Sequence, residues 1–485
     1  MVRNLIKIAA GILFLLIITL FLSLTRVDYS PYFEADYYLK TQARLDSVTL
    51  ELVPSSGEVQ VGFARESITP LLRAEEDNLI TGAFKEVPLA GYGDRSGKPA
   101  EGIHDSVFVK AVALQVQDQL LVLVASDLLI IPPEVSAGVS KILEQRLGLK
   151  RSQLFFSATH THSSVGAWSE GIVGESFAGE FNTQVVQWLV ARFSQAIEKS
   201  IDNLQAGQLG VGSFDAADFV ANRLVGEKGT KNPEFIFLVA RQHTGRKAIL
   251  GSFDAHATTL SGDNMLFSGD YPGYWQRKLE SEGADMAIFF AGSVGSHKPV
   301  SSGEKFDKPK FIGEALADSV LKYEKGAFLS DSIALASVSL EIDLPEFHVR
   351  VTDGVRLIPA ISRRLFPPIG KVYLQAARIG NLIWATTPCD FSGETAIVLK
   401  NAMHKKGYKA LVTSFNGAYT GYIIPGKYYH LNEYESRIMS WFGPYMGPYT
   451  NDMLEQLMQA VSSPVLLPEL QPQDIILDRQ PVSVD

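Results

Sequence analysis

Between residues 59 and 466, short apolar runs alternate with stretches of helical periodicity, and no Pro- or Gly-rich linker interrupts them. The apolar runs lie at 120–125, 154–158, 236–240, 248–253, 286–291, 372–376, 382–386 and 410–415. Each has the length of a strand and is too short for an ordinary helix. Stretches 135–147 and 181–197 read as helices. In the second, Phe181, Val185, Trp188, Leu189, Phe193 and Ile197 recur at helical spacing, which marks core packing. Apolar strands must be covered on their faces, and the intervening helices can cover them. The chain therefore reads as α/β, with mixed central β-sheets flanked by helices. One domain is expected over 58–466, followed by a tail over 467–485. No internal repeat is visible.

Several of these runs end in side chains able to bind metal or move protons. Run 154–158 leads to His160 and His162, and run 248–253 leads to Asp254 and His256. Run 382–386 leads to Cys389 and Asp390, and run 410–415 to Asn416, Tyr419 and Tyr422. In α/β sheets ligands gather beyond the carboxyl ends of strands, so these residues can meet although far apart in sequence. If the backbone stays extended past Ala158, His160 and His162 point to one side together. Each residue also has a plain structural reading. The histidines could hydrogen-bond in a loop, Asp390 could cap a helix starting near Ser392, and Tyr422 could be a half-buried aromatic. The shared position at strand ends favours a site. Zinc in hydrolases takes three protein ligands and keeps a place for water, so two histidines and a carboxylate suffice. Cys389 is a softer candidate. Asp390 suits hydrolysis better, because thiolate dampens the electrophilic character of the metal.

Charge and the N-terminus narrow the setting. A formal net charge of -9 and a pI near 5.6 argue against nucleic-acid binding, which usually shows a basic stripe. Arg3 and Lys7 precede an uncharged apolar stretch over 8–24, near the lower length limit of a membrane span. Basic residues on that side place a tip, 1–7, in the cytoplasm and export the body to the periplasm or cell exterior. A cleavable signal peptide is the rival reading. Its apolar region is normally shorter, and no small-x-small site follows Leu24. The expectation is one N-terminal transmembrane helix followed by a stalk over 25–57. The single cysteine excludes an intramolecular disulfide.

With these positions assembled, the chain resembles the neutral/alkaline non-lysosomal ceramidase family from about Val59 to about Val461. The likeness rests on Val61-Gly-Phe-Ala-Arg-Glu-Ser-Ile-Thr-Pro70, Gly91-Tyr92-Gly93, Gly102-Ile-His-Asp105 and Ala125-Ser-Asp-Leu128. It continues through Ala158-Thr-His-Thr-His-Ser163, Ala221-Asn-Arg223, Asp254-Ala-His256, Thr387-Pro-Cys-Asp390 and the tyrosine-rich stretch 416–435. The resemblance implies a zinc amidase that cleaves the N-acyl bond of ceramide. It implies zinc held by His160, His256, Asp390 and Tyr422, with His162 beside the metal handling protons. Arg223 and Tyr434 would contact the amide or headgroup.

Three departures accompany the likeness. Asp390 stands where the family has glutamate. In Gly295-Ser-His-Lys-Pro299, Lys298 occupies the position of the family's serine nucleophile, and Ser296 lies two residues earlier. The immunoglobulin-like domain of longer members has no expected counterpart. The leading expectation is a membrane-anchored zinc amidohydrolase cleaving a ceramide-like N-acyl amide with metal-activated water. Arg223 would stabilise the oxyanion and His162 would protonate the departing amine. Lys298 and Ser296 are the candidate substrate contacts, with Lys298 suited to an anionic headgroup unless it is simply a solvated loop lysine. Two alternatives stay open: an exported zinc esterase or amidase on another acyl substrate, and a non-catalytic anchored binding protein.

Overall fold

A computed structural model describes residues 2–463, so the expected tail over 467–485 lies outside the described residues. Twelve strands form the main sheet. In chain order they are β1 (Ser55–Ser67), β2 (Phe108–Val116), β3 (Gln119–Ser126), β4 (Leu154–Ala158), β5 (Gln205–Asp215), β6 (Glu234–Gln242), β7 (Lys247–Phe253), β8 (Met286–Ala291), β9 (Ser332–Ile342), β10 (Val372–Ile379), β11 (Leu382–Thr386) and β12 (Lys409–Thr413). The helices used below are α1 (Val2–Leu22), α2 (Asp36–Leu50), α3 (Pro133–Leu147), α4 (Thr183–Asp202), α5 (Asp270–Ser281), α6 (Asp307–Tyr323), α7 (Gly393–His404) and α8 (Met446–Ser462).

The sheet divides into three arms of four strands. In each arm the first three strands are antiparallel neighbours, and the fourth lies parallel to the third. A parallel neighbour cannot be reached by a tight hairpin, so a helix carries the chain back: α3, α5 and α7 in turn. A second helix, α4, α6 or α8, follows each fourth strand. The hydrogen-bonding pattern thus repeats three times although the residues do not. β1 joins the arms, because it pairs with β2, with the start of β5 and with the start of β9.

One face of every arm turns inward to a shared core that includes Phe63, Phe155, Leu238, Phe290, Leu335 and Trp384. The other face packs beneath its own helices: α3 and α4 on the first arm, α5 and α6 on the second, α7 and α8 on the third. Burial on both faces explains why runs such as 154–158 and 286–291 carry so few polar residues.

The N-terminal segment departs from expectation. α1 begins at Val2, and none of its side chains is buried against the body. It is long and apolar enough to cross a membrane, as a signal sequence can also be. It stops at Leu22 because Leu24–Arg26 pairs antiparallel with Val355–Leu357. The expected stalk over 25–57 is folded onto the body instead. Its helix α2 buries Thr41 and Leu45 in the core of the third arm. Tyr449 Oη donates to Thr41 Oγ1 at 2.8 Å, and Asp28 N–H donates to His348 Nε2 at 3.2 Å. The polar outer face of α2 had hidden this packing.

Two outcomes follow from that docking. Leu45→Ala is expected to lower unfolding free energy by about 2–4 kcal/mol in a denaturant titration, whereas a free stalk would show almost no change. Burial, with Arg356 beside it, pushes the His348 imidazole down to about 4. The unfolded chain takes that proton near pH 6.5. Between the two values the unfolded state binds the extra proton, so stability is lost as pH falls from about 6.5 towards 4. His348→Gln should give a shallower loss over the same window.

Candidate metal centre

The three arms meet where their last strands end. Ser157 Oγ, in β4, donates to Ser414 O just past β12 at 2.8 Å. Ser414 N–H donates to Ala291 O at the end of β8 at 3.0 Å. Each arm then sends side chains to one point beyond this junction: His160 and His162 from the first, His256 from the second, Asp390 from the third.

The two histidines of the first arm do not converge through strand alternation, as the sequence led us to expect. β4 ends at Ala158, and His160 turns into the left-handed region at φ 63°. Its N–H is held by Leu128 O at 3.0 Å. Its ring stacks on Phe415 with centroids 4.2 Å apart, and Nδ1 lies 2.6 Å from Leu129 O. That contact makes Nδ1 the protonated nitrogen and leaves Nε2 with a free lone pair. His162 packs against the backbone of Gly91, where φ is 123° and an added Cβ would sit 2.7 Å from the imidazole. Arg95 Nη1 donates to His162 O at 2.5 Å, fixing the loop from below.

His256 completes the cluster. Its Nε2 lies 2.9 Å from His160 Nε2 and 3.1 Å from His162 Nε2, while the latter two are 3.4 Å apart. Its Nδ1 is 3.4 Å from Val294 O. Burial pushes the pKa values of His162 and His256 well below the usual imidazole range, and nearby positive groups push the same way. Both stay neutral and able to donate lone pairs.

The third arm supplies a buried carboxylate. Asp390–Phe391 pairs with Tyr422–Ile423, which sets Asp390 and Tyr422 side by side. Tyr419 Oη donates to Asp390 Oδ2 at 2.7 Å. Oδ1 lies 3.3 Å from His160 Nε2 and is buried without a hydrogen-bond partner. Asp390 therefore reaches the cluster despite being one methylene shorter than glutamate. Cys389 faces the hydrophobic core, where burial raises its thiol pKa.

This donor set fits a single divalent ion. Zinc–nitrogen distances of 2.0–2.1 Å in a tetrahedron place donors about 3.3 Å apart. The three imidazole separations, His162 included, and the His160–Asp390 contact bracket that figure, whereas the nitrogen His256 turns towards Oδ1 is Nδ1, at 3.7 Å. An orphaned buried carboxylate oxygen is costly unless a proton or cation meets it.

Around this group lies a second set of residues. Arg223 Nη2 donates to Tyr422 Oη at 2.8 Å, and Nε sits 2.8 Å from Glu435 Oε1, an ion pair bent too far for a hydrogen bond. Burial raises the Tyr422 hydroxyl well above the usual phenol range, and the Arg223 charge opposes that shift. Tyr434 is edge-on to Tyr422 with ring centroids 5.9 Å apart. Ser296 is buried, and its Oγ accepts from Gly393 N–H and from Ser392 Oγ, both at 3.1 Å, at the start of α7. Lys298 is exposed, opposite Ala221 in a short strand pair, and makes no ion pair among the described residues. The structure thus gathers His160, His162, His256 and Asp390, with Tyr422, Arg223 and Tyr434 adjoining. It shows no contact from Lys298 to them. The supporting roles of Arg95, Phe415 and Glu435 left no sequence signal, because each depends on a partner distant in the chain.

Residues 75–303 match the profile of the family described as neutral/alkaline non-lysosomal ceramidase, N-terminal. The chain is thus similar to this ceramidase family over just under half of its length. A neutral ceramidase of Pseudomonas aeruginosa is 26% identical over 239 residues, covering 45% of this chain and 36% of that protein. A neutral ceramidase of Oryza sativa subsp. japonica is 25% identical over 225 residues, covering 43% of this chain and 28% of the other. The matched stretch spans about a third of the length of these curated relatives. A solved structure described as ceramidase complexed with C2 shares the fold at a TM-score of 0.71 and 19% identity, over 83% of this chain and 75% of that one. The crystal structure of neutral ceramidase from Pseudomonas aeruginosa does so at 0.68 and 21%, over 83% and 74%. The profile match contains His160, His162, Arg223, His256, Ser296 and Lys298. Asp390, Tyr422 and Tyr434 lie beyond it.

Gly91→Ala is expected to push the His162 ring aside and to cost about 1–3 kcal/mol of stability, measured by thermal or denaturant unfolding. An unchanged unfolding curve would mean that the glycine contact does not hold the histidine.

Proposed function

We propose that this ceramidase-like chain is a zinc-dependent amidohydrolase acting on a ceramide-like N-acyl lipid, with α1 as a membrane anchor and the body on the exported side. The convergence of three buried imidazole nitrogens, with the partnerless oxygen of Asp390 3.3 Å from His160 Nε2, carries the reading.

His160, His256, Asp390 and Tyr422 would hold the zinc, the set the family resemblance implies, with His162, whose Nε2 stands 3.1 Å from His256 Nε2, beside it. Metal-bound histidines normally give their second nitrogen to a carbonyl or carboxylate. His160 has Leu129 O and His256 has Val294 O in that position. His162 instead packs its Nδ1 side against the Gly91 backbone, and the family resemblance implies a proton-handling role for it. Zinc bound there supplies Lewis-acid polarisation and acidifies water to a pKa of about 7.

The remaining steps belong to the chain's own residues. His162, held neutral by burial, takes a proton at Nε2 from the attacking water and returns it to the amide nitrogen. Protonation matters because an amine leaves poorly as its anion. Arg223, oriented by Tyr422 and Glu435, places a fixed positive charge beside the centre to stabilise the developing oxyanion. Tyr434 and the outer rim contact the headgroup. No serine is required, which accords with Ser296 being engaged by the start of α7 and with lysine at position 298.

The test is made on the full chain purified in detergent. One zinc per chain is expected, lost in His160→Ala. Turnover of fluorescent N-acyl sphingosine should stop with chelator and return with zinc. His162→Ala should keep the metal and lose about 100-fold or more in kcat. Equal zinc in wild type and His160→Ala would reject the ligand assignment. Metal-dependent turnover of simple esters or N-acyl amino acids alone would move the substrate class, and no turnover of any of them would leave a binding protein.

A further inference from the structure

The N-terminal helix does not hang from a loose tether. One residue beyond α1, Leu24–Arg26 is already paired with Val355–Leu357. Ile358 N–H donates to Ser23 O at 2.9 Å. Residues 355–358 therefore lie at whatever boundary α1 crosses. Arg356, the partner of Thr25, bridges to Arg350 in the next extended segment, so Thr25 and Arg350 are two strand spacings apart, about 10 Å.

From there the body grips segment 430–438. Arg437 Nη1 lies 2.7 Å from Asp353 Oδ1, and Nη2 donates to Val351 O at 3.2 Å. The Arg350 guanidinium lies over the Tyr429 ring at 3.9 Å and donates to Ser436 O. Tyr29 Oη meets His430 Nε2 at 3.3 Å. This segment carries Tyr434, whose ring touches Tyr422. A short, clamped path thus joins the helix exit to the rim of the candidate centre.

The clamped corner is apolar on its outside. Ile438 is 62% exposed, Tyr434 52% and Val351 47%. Scattered single apolar residues on a surface need no explanation, but these three occupy two segments fastened together beside the helix exit. Arg26 and Arg364, on the adjoining elements, are exposed and make no ion pair among the described residues. Such cations suit anionic lipid headgroups.

We propose that Val351, Tyr434 and Ile438 form a membrane-contact rim, held at a fixed attitude to the bilayer by the pairing of residues 24–26 with 355–357. The centre then opens on the lipid surface rather than on bulk water. This deepens the reading above and rests on α1 being a span.

Site-specific labelling tests it, because the single cysteine is buried and leaves introduced thiols to react alone. Val351→Cys, Ile438→Cys, Ile12→Cys within α1 and Phe328→Cys receive an environment-sensitive fluorophore. Phe328 is 85% exposed and precedes β9, whose eleven residues separate it by about 35 Å along the strand from residues 343–351. The full-length variants are placed in vesicles of phosphatidylcholine and phosphatidylglycerol carrying nitroxide-labelled lipid. Labels at 351 and 438 should be quenched several-fold more than the label at 328. Strong quenching at 12 with 351 and 438 matching 328 would overturn the rim and spare the anchor. No quenching at 12 would overturn both. Quenching needs no turnover, so an inactive protein with a quenched rim would support this inference and count only against the hydrolase reading.

Discussion

The ends of β4, β8 and β12 are fastened to one another at Ser157, Ala291 and Ser414, and the placement of every candidate site residue depends on that knot. Each hydrogen bond there contributes only about 1 kcal/mol net. The shared core between the arms supplies far more. What the knot adds is register. A slip of one residue in any of these strands would turn its alternate side chains to the wrong face, and the polar residues beyond would follow. Stability and alignment therefore come from different parts of the same sheet.

Electrostatics makes the alignment consequential. Water is largely excluded around the cluster, so the His162 and His256 imidazoles remain neutral and the Asp390 carboxylate lacks one partner. Neutral rings provide lone pairs but no counter-charge. Arg223 supplies positive charge from the side, yet it is occupied by Tyr422 and Glu435. A compact cation at the crossing point of the donors resolves both deficits at once, and this donor set suits one of borderline softness.

Much of this was legible in the chain, and the remainder was hidden for identifiable reasons. The runs 154–158, 286–291 and 382–386 match β4, β8 and β11 residue for residue, because strands covered on both faces admit few polar side chains. β5 and β9 escaped notice, since Ser, Gly and Glu alternate with their apolar positions. The threefold pattern was invisible because it resides in backbone pairing, which different side chains can satisfy. His160, His162, His256, Asp390 and Tyr422 could be singled out as metal-competent residues following strands. The left-handed turn at His160 could not, as it is imposed by contacts with Leu128, Leu129 and Phe415. α2 carries a weak signal because only Thr41 and Leu45 on one side are buried, and that side is the one that docks.

The donors hang from three separate arms, so their mutual distance sums the positional errors of the entire sheet. A substitution under α4, α6 or α8 can shift one donor by tenths of an ångström without unfolding anything. Chemistry at such a crossing is tuned from far away. Conversely, an ion gripped there would act as a clasp on all three arms, turning affinity for a single atom into resistance of the whole body to opening.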